Sequence, residues 1–228
     1  MVDLHSHVLP KMDDGSASPE ESAAMLRLSK SHGVTLQVAT PHFYAHRDDP
    51  EHFLGRRSHS HAQIPYDPET MPQLLLGAEV AYFGGMSSCD ALIPLQIGGS
   101  GLILVEMPFA PWSKRIIDDV LNLQQLGLRP VLAHVDRYTG KNQFFEYREA
   151  LEDQGALFQC NADAFFPMFS KFTRLLKNGG IHFLGSDAHN MASRAPQLDK
   201  AAKILAKKAG ADMLAAMDAL AFELLQNS

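Results

Sequence analysis

Short runs of apolar residues recur along the chain, and a segment with helical periodicity follows most of them. Each run is continuous and rich in leucine or β-branched residues, which is typical of strands buried on both faces of a parallel sheet. Because strands and helices alternate, the pattern predicts an α/β fold. The seven runs are 2–4, 34–39, 74–76, 102–105, 130–133, 157–160 and 181–185.

Capping residues mark where the helices begin and end. Ser18, Pro19 and Glu21 form a start signal, because the serine can accept from a first-turn amide and the glutamate can reach back. Gly33 then supplies a left-handed stop. No repeat or linker interrupts the chain, so we expect a single domain over 1–228. The other predicted helices are 114–126, 144–154, 195–209 and 211–225.

A polar residue follows each predicted strand. These residues recur at roughly the spacing of one strand–helix unit in an eight-stranded barrel, about 31 residues. The spacing therefore predicts a distorted seven-stranded (β/α)7 TIM-like barrel. In such barrels the functional site lies at the carboxyl ends of the strands. The residues are His5, His42, Glu79, Glu106, His134, Asn161 and Asp187.

The polar residues have the chemistry of metal ligands. His7 and His189 lie two positions after His5 and Asp187, so each pair can face the same side of its strand. Asp14, in the first loop, can fold back over the same mouth. Buried carboxylates are rare unless they are paired or bind a metal. The predicted ligands are His5, His7, Asp14, His42, Glu79, Glu106, His134, Asp187 and His189.

Nitrogen and oxygen ligands in this number suit two or three ions of Mn²⁺, Fe²⁺ or Zn²⁺. Four ligand carboxylates beside three divalent ions would leave the site positive, which favours a phosphate dianion and its hydrolysis. Arg137 and Arg194 lie beside these ligands, where they can contact phosphate or form salt bridges at the rim. Asn161 can join the site or satisfy a backbone group.

Composition excludes several other classes. The net charge of −6 offers no basic field for nucleic acid or an anionic membrane surface. No apolar run approaches the roughly 18 residues of a membrane span, so we expect a cytoplasmic protein without membrane insertion. Neither Cys89 nor Cys160 is followed by the arginine of a cysteine-based phosphatase cradle.

Several motifs resemble those of the polymerase-and-histidinol-phosphatase (PHP) superfamily of metal-dependent phosphoesterases. Within it, the chain is similar to the bacterial tyrosine-protein phosphatases of capsule and exopolysaccharide operons, the CpsB/YwqE type. The resemblance runs over nearly the whole chain. The motifs are DLHSHVLPKMDDG (3–15), ATPH (39–42), LLGAEV (75–80), LVEMP (104–108), PVLAHVDRY (130–138) and GSDAHN (185–190).

The resemblance implies the PHP fold and manganese-dependent hydrolysis of phosphotyrosine in a protein substrate, such as a bacterial tyrosine autokinase. It also implies Arg137 and Arg194 as contacts for the phosphate and the leaving group. Three ion sites follow from the family pattern: His5, His7, Asp187 and bridging Glu79 for one ion, Glu79, Glu106 and His134 for a second, and Asp14, His42 and His189 for a third.

The chain departs from the family pattern at Asp136, where glutamate is expected, and over residues 43–72. We expect residues 43–72 to border the pocket, with Tyr44, Phe53, Arg56 and Arg57 recognising the leaving group.

Three alternatives stay open: a PHP phosphatase of a small ester such as histidinol phosphate, an amidohydrolase, and a non-catalytic metal-binding regulator. The amidohydrolase is disfavoured because Glu79 and Glu106 stand where that class usually has a carbamylated lysine. The physiological substrate, the native metal and the oligomeric state do not follow from the sequence.

Overall fold

The computed structural model describes residues 1–141, 143–165 and 180–226. Every strand pair in these residues is parallel, as the continuous apolar runs predict. The pairs form two curled sheets with the orders β1-β2-β4 and β3-β5-β6-β7-β8-β9. The strands are β1 Val2–Ser6, β2 Leu36–Ala39, β3 His42–Phe43, β4 Gln73–Leu76, β5 Glu79–Ala81, β6 Leu102–Glu106, β7 Arg129–Leu132, β8 Leu157–Asn161 and β9 Phe183–Gly185.

Two of the predicted strand positions are interrupted. Pro41, which has no amide hydrogen to donate, lies between β2 and β3, and Gly77 lies between β4 and β5. Backbone bonds nevertheless cross the gaps, since Gly77 N donates to Ala39 O at 2.9 Å and Glu79 N donates to Pro41 O at 3.0 Å. Each interrupted position therefore contributes one strand to each sheet: β2 and β4 to the first, and β3 and β5 to the second. The apolar runs alone did not predict this division.

The first strand lies beside the segment that follows the last one. A parallel bridge joins Ser6 to Ala188. Asp187 N donates to His5 O, and His7 N donates to Ala188 O, both at 2.8 Å. The two sequence motifs that each carry a pair of predicted ligands are thus neighbours in space.

The helices begin and end largely where the capping signals predict. Ser18 Oγ accepts from Glu21 N at 3.2 Å, whereas the Glu21 carboxylate accepts from Ala17 N rather than from the Ser18 amide. The helix predicted over 195–209 begins three residues later, because Pro196 disfavours helical backbone at the residue before it. The described helices are α1 Pro19–Ser31, α2 Pro50–Ala62, α3 Lys114–Leu121, α4 Gln143–Asp153, α5 Leu198–Ala209 and α6 Ala211–Gln226, and a 3₁₀ segment, Asn122–Leu126, continues α3.

Residues from several strands form one apolar cluster, and α6 contributes to it. Leu4, Leu104 and Val131 belong to this cluster together with Leu225 of α6. Asp218 of α6 also accepts from Val2 N at 2.8 Å, which ties this helix to the start of β1. None of the described helices combines the length and the hydropathy that crossing a bilayer requires.

Candidate metal centre

The predicted ligands lie together at the carboxyl ends of the strands. Six of the nine are buried, His42 and Glu106 are half-buried, and Asp14 is exposed. Three groups offer ligand atoms that lie within 4.8 Å of one another. These groups differ from the three ion sites that the family pattern implies. His7 also belongs to the group around Asp14, and His42 also belongs to the group of Glu79 and Glu106. The groups are His5, His7 and Asp187; His42, Glu79 and Glu106; and His7, Asp14, His42 and His189.

Glu79 is at the middle of the cluster. Its Oε1 accepts from His134 Nε2 at 2.8 Å. Its Oε2 lies 3.0 Å from His42 Nδ1, 3.2 Å from His5 Nε2 and 3.3 Å from His7 Nε2. Burial raises the pKa of Glu79, but the surrounding histidines, His5 first, outweigh it and hold that pKa well below its ordinary value. One carboxylate thus faces four imidazoles.

Several buried polar atoms in the cluster lie close to groups of opposite charge but form no hydrogen bond with the described residues. They include Glu79 Oε2, His42 Nδ1 and His189 Nε2. A buried polar atom without a hydrogen bond typically costs ~1–3 kcal/mol of free energy. Imidazole nitrogens and carboxylate oxygens without thiolate are the donor set of a borderline or hard divalent cation. The donor set and its atoms without hydrogen bonds therefore fit a divalent metal.

Strained backbone directs two of these side chains. His134 has a φ of 34° and Asp187 a φ of 49°. A residue other than glycine costs ~1–3 kcal/mol in this left-handed region, so it persists only where the surrounding structure imposes it. At both positions the chain turns directly after a strand, which brings the side chain into the cluster.

Arg137 and Arg194 lie beside the cluster. Their guanidinium groups donate to Asp187 Oδ2, at 2.5 Å and 2.8 Å respectively. Both side chains are more than a third exposed, and they line an open cleft together with Ser193 and Gln197. They are therefore accessible to a ligand that approaches the centre. Asn161 also reaches the site, since its Nδ2 donates to Asp187 Oδ2 at 2.8 Å.

Asp13 is a site residue that the sequence reasoning missed. Its Oδ2 accepts from His7 Nδ1 at 2.7 Å and from His42 N at 2.8 Å. Burial raises the pKa of Asp13, but His7 outweighs it and lowers that pKa to about 2. Gly15 makes this turn possible, because a Cβ there would lie 2.3 Å from His7 O. The signal in the sequence is the motif Asp13-Asp14-Gly15, which follows soon after the two histidines of β1 and its end.

Residues 43–72 contribute less to the mouth than predicted. Phe53 is fully buried in the core. Arg57 is also buried and donates to the carbonyls of Gly77 and Pro94, so the expectation that these two side chains bind a leaving group is wrong. Tyr44 does lie at the centre, with its ring 5.3 Å from that of His42.

Comparisons with known proteins show which chains this one is similar to. The family model described as capsular polysaccharide synthesis, CpsB/CapC, matches residues 1–221. The tyrosine-protein phosphatase CpsB of Streptococcus pneumoniae is 30% identical over 228 residues, covering 92% of each chain. The tyrosine-protein phosphatase YwqE of Bacillus subtilis (strain 168) is 28% identical over 222 residues, covering 93% of this chain and 87% of that protein.

A solved structure is also similar to this chain over its whole length. It comes from work on YwqE and CpsB, which are described there as unique metal-dependent tyrosine phosphatases. The TM-score is 0.81 at 25% identity, and the match covers 100% of this chain and 95% of that one. The predicted resemblance is confirmed.

Proposed function

This chain belongs to the CpsB/CapC family of capsular polysaccharide synthesis proteins, and we propose that it is a metal-dependent phosphatase that hydrolyses phosphotyrosine in proteins. The observation that carries the proposal is the group of histidines and carboxylates beside two accessible arginines. The names of the relatives support the phosphotyrosine substrate. The protein substrate that we propose is a bacterial tyrosine autokinase, encountered in the cytoplasm.

We propose Mn²⁺ as the resident metal, in two or three ions, with Fe²⁺ or Zn²⁺ as alternatives. When bound, divalent ions supply positive charge and lower the pKa of a coordinated water to about 7. The buried atoms of Glu79, His42 and His189 that form no hydrogen bond among the described residues support this assignment. The residues that would hold the ions are His5, His7, Asp14, His42, Glu79, Glu106, His134, Asp187 and His189.

The chain's own residues have distinct tasks in this proposal. Arg137 and Arg194 bind the phosphate and the leaving oxygen, because a guanidinium matches phosphate geometry with two parallel N–H donors. The same groups stabilise the charge that spreads over the equatorial oxygens of the transferred phosphoryl group. Asp13 accepts a hydrogen bond from His7 Nδ1, so the proton stays on that nitrogen and His7 Nε2 is free to bind a metal.

We also propose that the strands close into one distorted seven-stranded (β/α)7 barrel of the PHP type and that residues 1–228 form one domain. Two features support the strand count. The interrupted positions β2/β3 and β4/β5 each act as one barrel strand, linked by the backbone bonds across their gaps. The Ser6–Ala188 bridge joins the first strand position to the last.

The central test compares substrates on purified protein. We expect Mn²⁺-supported hydrolysis of phosphotyrosine peptides to exceed that of phosphoserine peptides and of histidinol phosphate. Elemental analysis of the same sample measures the bound metal. Faster turnover of histidinol phosphate would favour a small-ester phosphatase. Metal binding without hydrolysis of any of the three would favour a regulator.

A chelator should abolish activity, and Mn²⁺ should restore it, because the proposed chemistry depends on bound metal. Thiol alkylation should have little effect. Cys160 is fully buried, and burial raises the pKa of its thiol well above the ordinary value. Phosphatase assays before chelation, after chelation and after Mn²⁺ addition check this prediction, with metal removal verified by elemental analysis. Full activity in verified metal-free protein would contradict the metal-dependent mechanism.

Replacing Tyr44 with alanine should raise KM for a phosphotyrosine peptide about 2- to 10-fold, the range that follows from ~0.5–1.5 kcal/mol for an aromatic contact. The ring lies beside His42, where it can pack against the aromatic leaving group. Tyr66→Ala is the control, since Tyr66 is an exposed tyrosine whose hydroxyl donates to Pro72 O. Equal KM values for both variants would exclude a role for Tyr44 in recognition.

A further inference from the structure

Gln159, in the middle of β8, connects three parts of the candidate metal centre. The side chain is fully buried. Its Oε1 accepts from His134 N at 2.7 Å and lies 3.2 Å from His5 Nδ1. Its Nε2 donates to Asn161 Oδ1 at 3.0 Å. Asn161 is two residues further along the same strand, and its Nδ2 donates in turn to Asp187 Oδ2 at 2.8 Å.

The bond from His134 determines the direction of the whole chain of hydrogen bonds. A backbone N–H only donates, so the Gln159 atom that faces it must be the oxygen. An oxygen lone pair facing His5 Nδ1 requires a proton on that nitrogen. His5 Nε2, which lies 3.6 Å from Asp187 Oδ1, is then the nitrogen that is available to a metal. At the other end, Asn161 orients the Asp187 carboxylate.

The packing around Gln159 leaves room for this arrangement. Gly185 of β9 lies opposite, paired with Asn161 in the sheet register. A Cβ at Gly185 would come within 2.5 Å of Gln159 Nε2 and 2.6 Å of His5 Cβ. A residue larger than glycine would therefore displace Gln159 or His5 from the positions that these hydrogen bonds require.

We propose that Gln159 and Asn161 are positioning residues for one particular ion of the centre. Their side chains contact His5 and Asp187, which are two of the three residues in a single candidate group. Among the described residues, their one hydrogen bond to a predicted ligand outside this group is to the backbone of His134, not to its imidazole. The proposal rests on the proposed metal-dependent function, and it predicts a defect that is confined to the ion held by His5, His7 and Asp187.

Gln159→Met tests the proposal, because methionine keeps the length of the side chain but cannot form these hydrogen bonds. Gln37→Met is a matched control: Gln37 is also a fully buried strand glutamine, and its amide atoms have no hydrogen-bond partner among the described residues. Titration calorimetry of metal-free protein with Mn²⁺, together with elemental analysis, measures the number and the affinity of the ions. Thermal unfolding of the metal-free variants shows whether each one is folded and how stable it is.

For Gln159→Met we expect one ion to bind about 10- to 100-fold more weakly, the usual effect of losing a hydrogen-bond partner of a metal ligand. Gln37→Met should bind all ions as the wild type does. Gln159→Glu keeps an oxygen for both His5 and His134 and should recover part of the affinity. Asn161→Ala removes the contact with Asp187 and also the oxygen that accepts from Gln159 Nε2. It should weaken the same ion, and it provides the test if Gln159→Met does not fold.

Wild-type affinities in Gln159→Met or in folded Asn161→Ala would overturn the positioning role, as would an equal loss for all ions. A wild-type protein that binds no divalent ion would instead overturn the metal centre itself, and this inference with it. The two failures are therefore distinguishable in one set of titrations.

Discussion

Replacing Glu79 with glutamine is expected to lower the amount of bound metal. It should also reduce phosphatase activity by at least ~10²–10³-fold, the usual cost of losing one preorganised electrostatic group. Glu79 faces four imidazoles and is proposed to bridge two ions. The substitution preserves the shape of the side chain but removes a charge that both ions would share. The measurements are elemental analysis and steady-state kinetics with a phosphotyrosine peptide.

The control for this variant is Glu149→Gln, an isosteric change at an exposed position on α4. It should retain full metal content and activity. Circular dichroism of metal-free Glu79→Gln establishes that the variant is folded, since the change also removes the carboxylate that the buried histidines face. A folded Glu79→Gln protein with wild-type metal content would contradict the bridging role.

Alanine at Arg137 or Arg194 is expected to leave the metals bound and to reduce kcat by about 10²- to 10³-fold, the usual loss for one preorganised donor to transition-state charge. Both guanidinium groups point toward the cluster and are exposed enough to meet a phosphate. Loss of either arginine should leave the metal content unchanged, whereas loss of a metal ligand should release metal. Metal analysis and kinetics on both variants check the prediction.

The contacts with Asp187 provide the competing explanation for these arginines. If their task is to hold that carboxylate, alanine should lower the metal content together with the rate. If they only form salt bridges at the rim, kcat should stay near normal and only thermal stability should fall. Arg148→Ala is the control, because Arg148 pairs with Glu152 within α4. Wild-type kcat and kcat/KM in both variants would exclude the phosphate contact.

The sequence by itself determined the parallel α/β architecture and which residues could meet. Each predicted run overlaps a strand, because a strand buried on both faces requires a continuous apolar segment. Parallel strands place their carboxyl ends on one side, so residues as distant as His5 and Asp187 were predicted neighbours. Helix starts were equally local, since a cap such as Ser18 depends on residues within one turn.

Only the tertiary structure decided how the ligands are held. Asp13 contacts His42, and Gln159 contacts both His5 and His134. These hydrogen bonds join residues that are far apart in the chain, and no local spacing or periodicity encodes such a pair.

Burial was also decided by packing. Arg57 resembles a surface cation in the sequence, yet it is buried because the carbonyls of Gly77 and Pro94 accept from its guanidinium. The left-handed backbone of His134 and Asp187 likewise depends on the neighbouring strands, since an isolated segment would relax out of it. The residue types of the centre therefore follow from local sequence, whereas their protonation, orientation and accessibility follow from contacts that form only when the strands assemble.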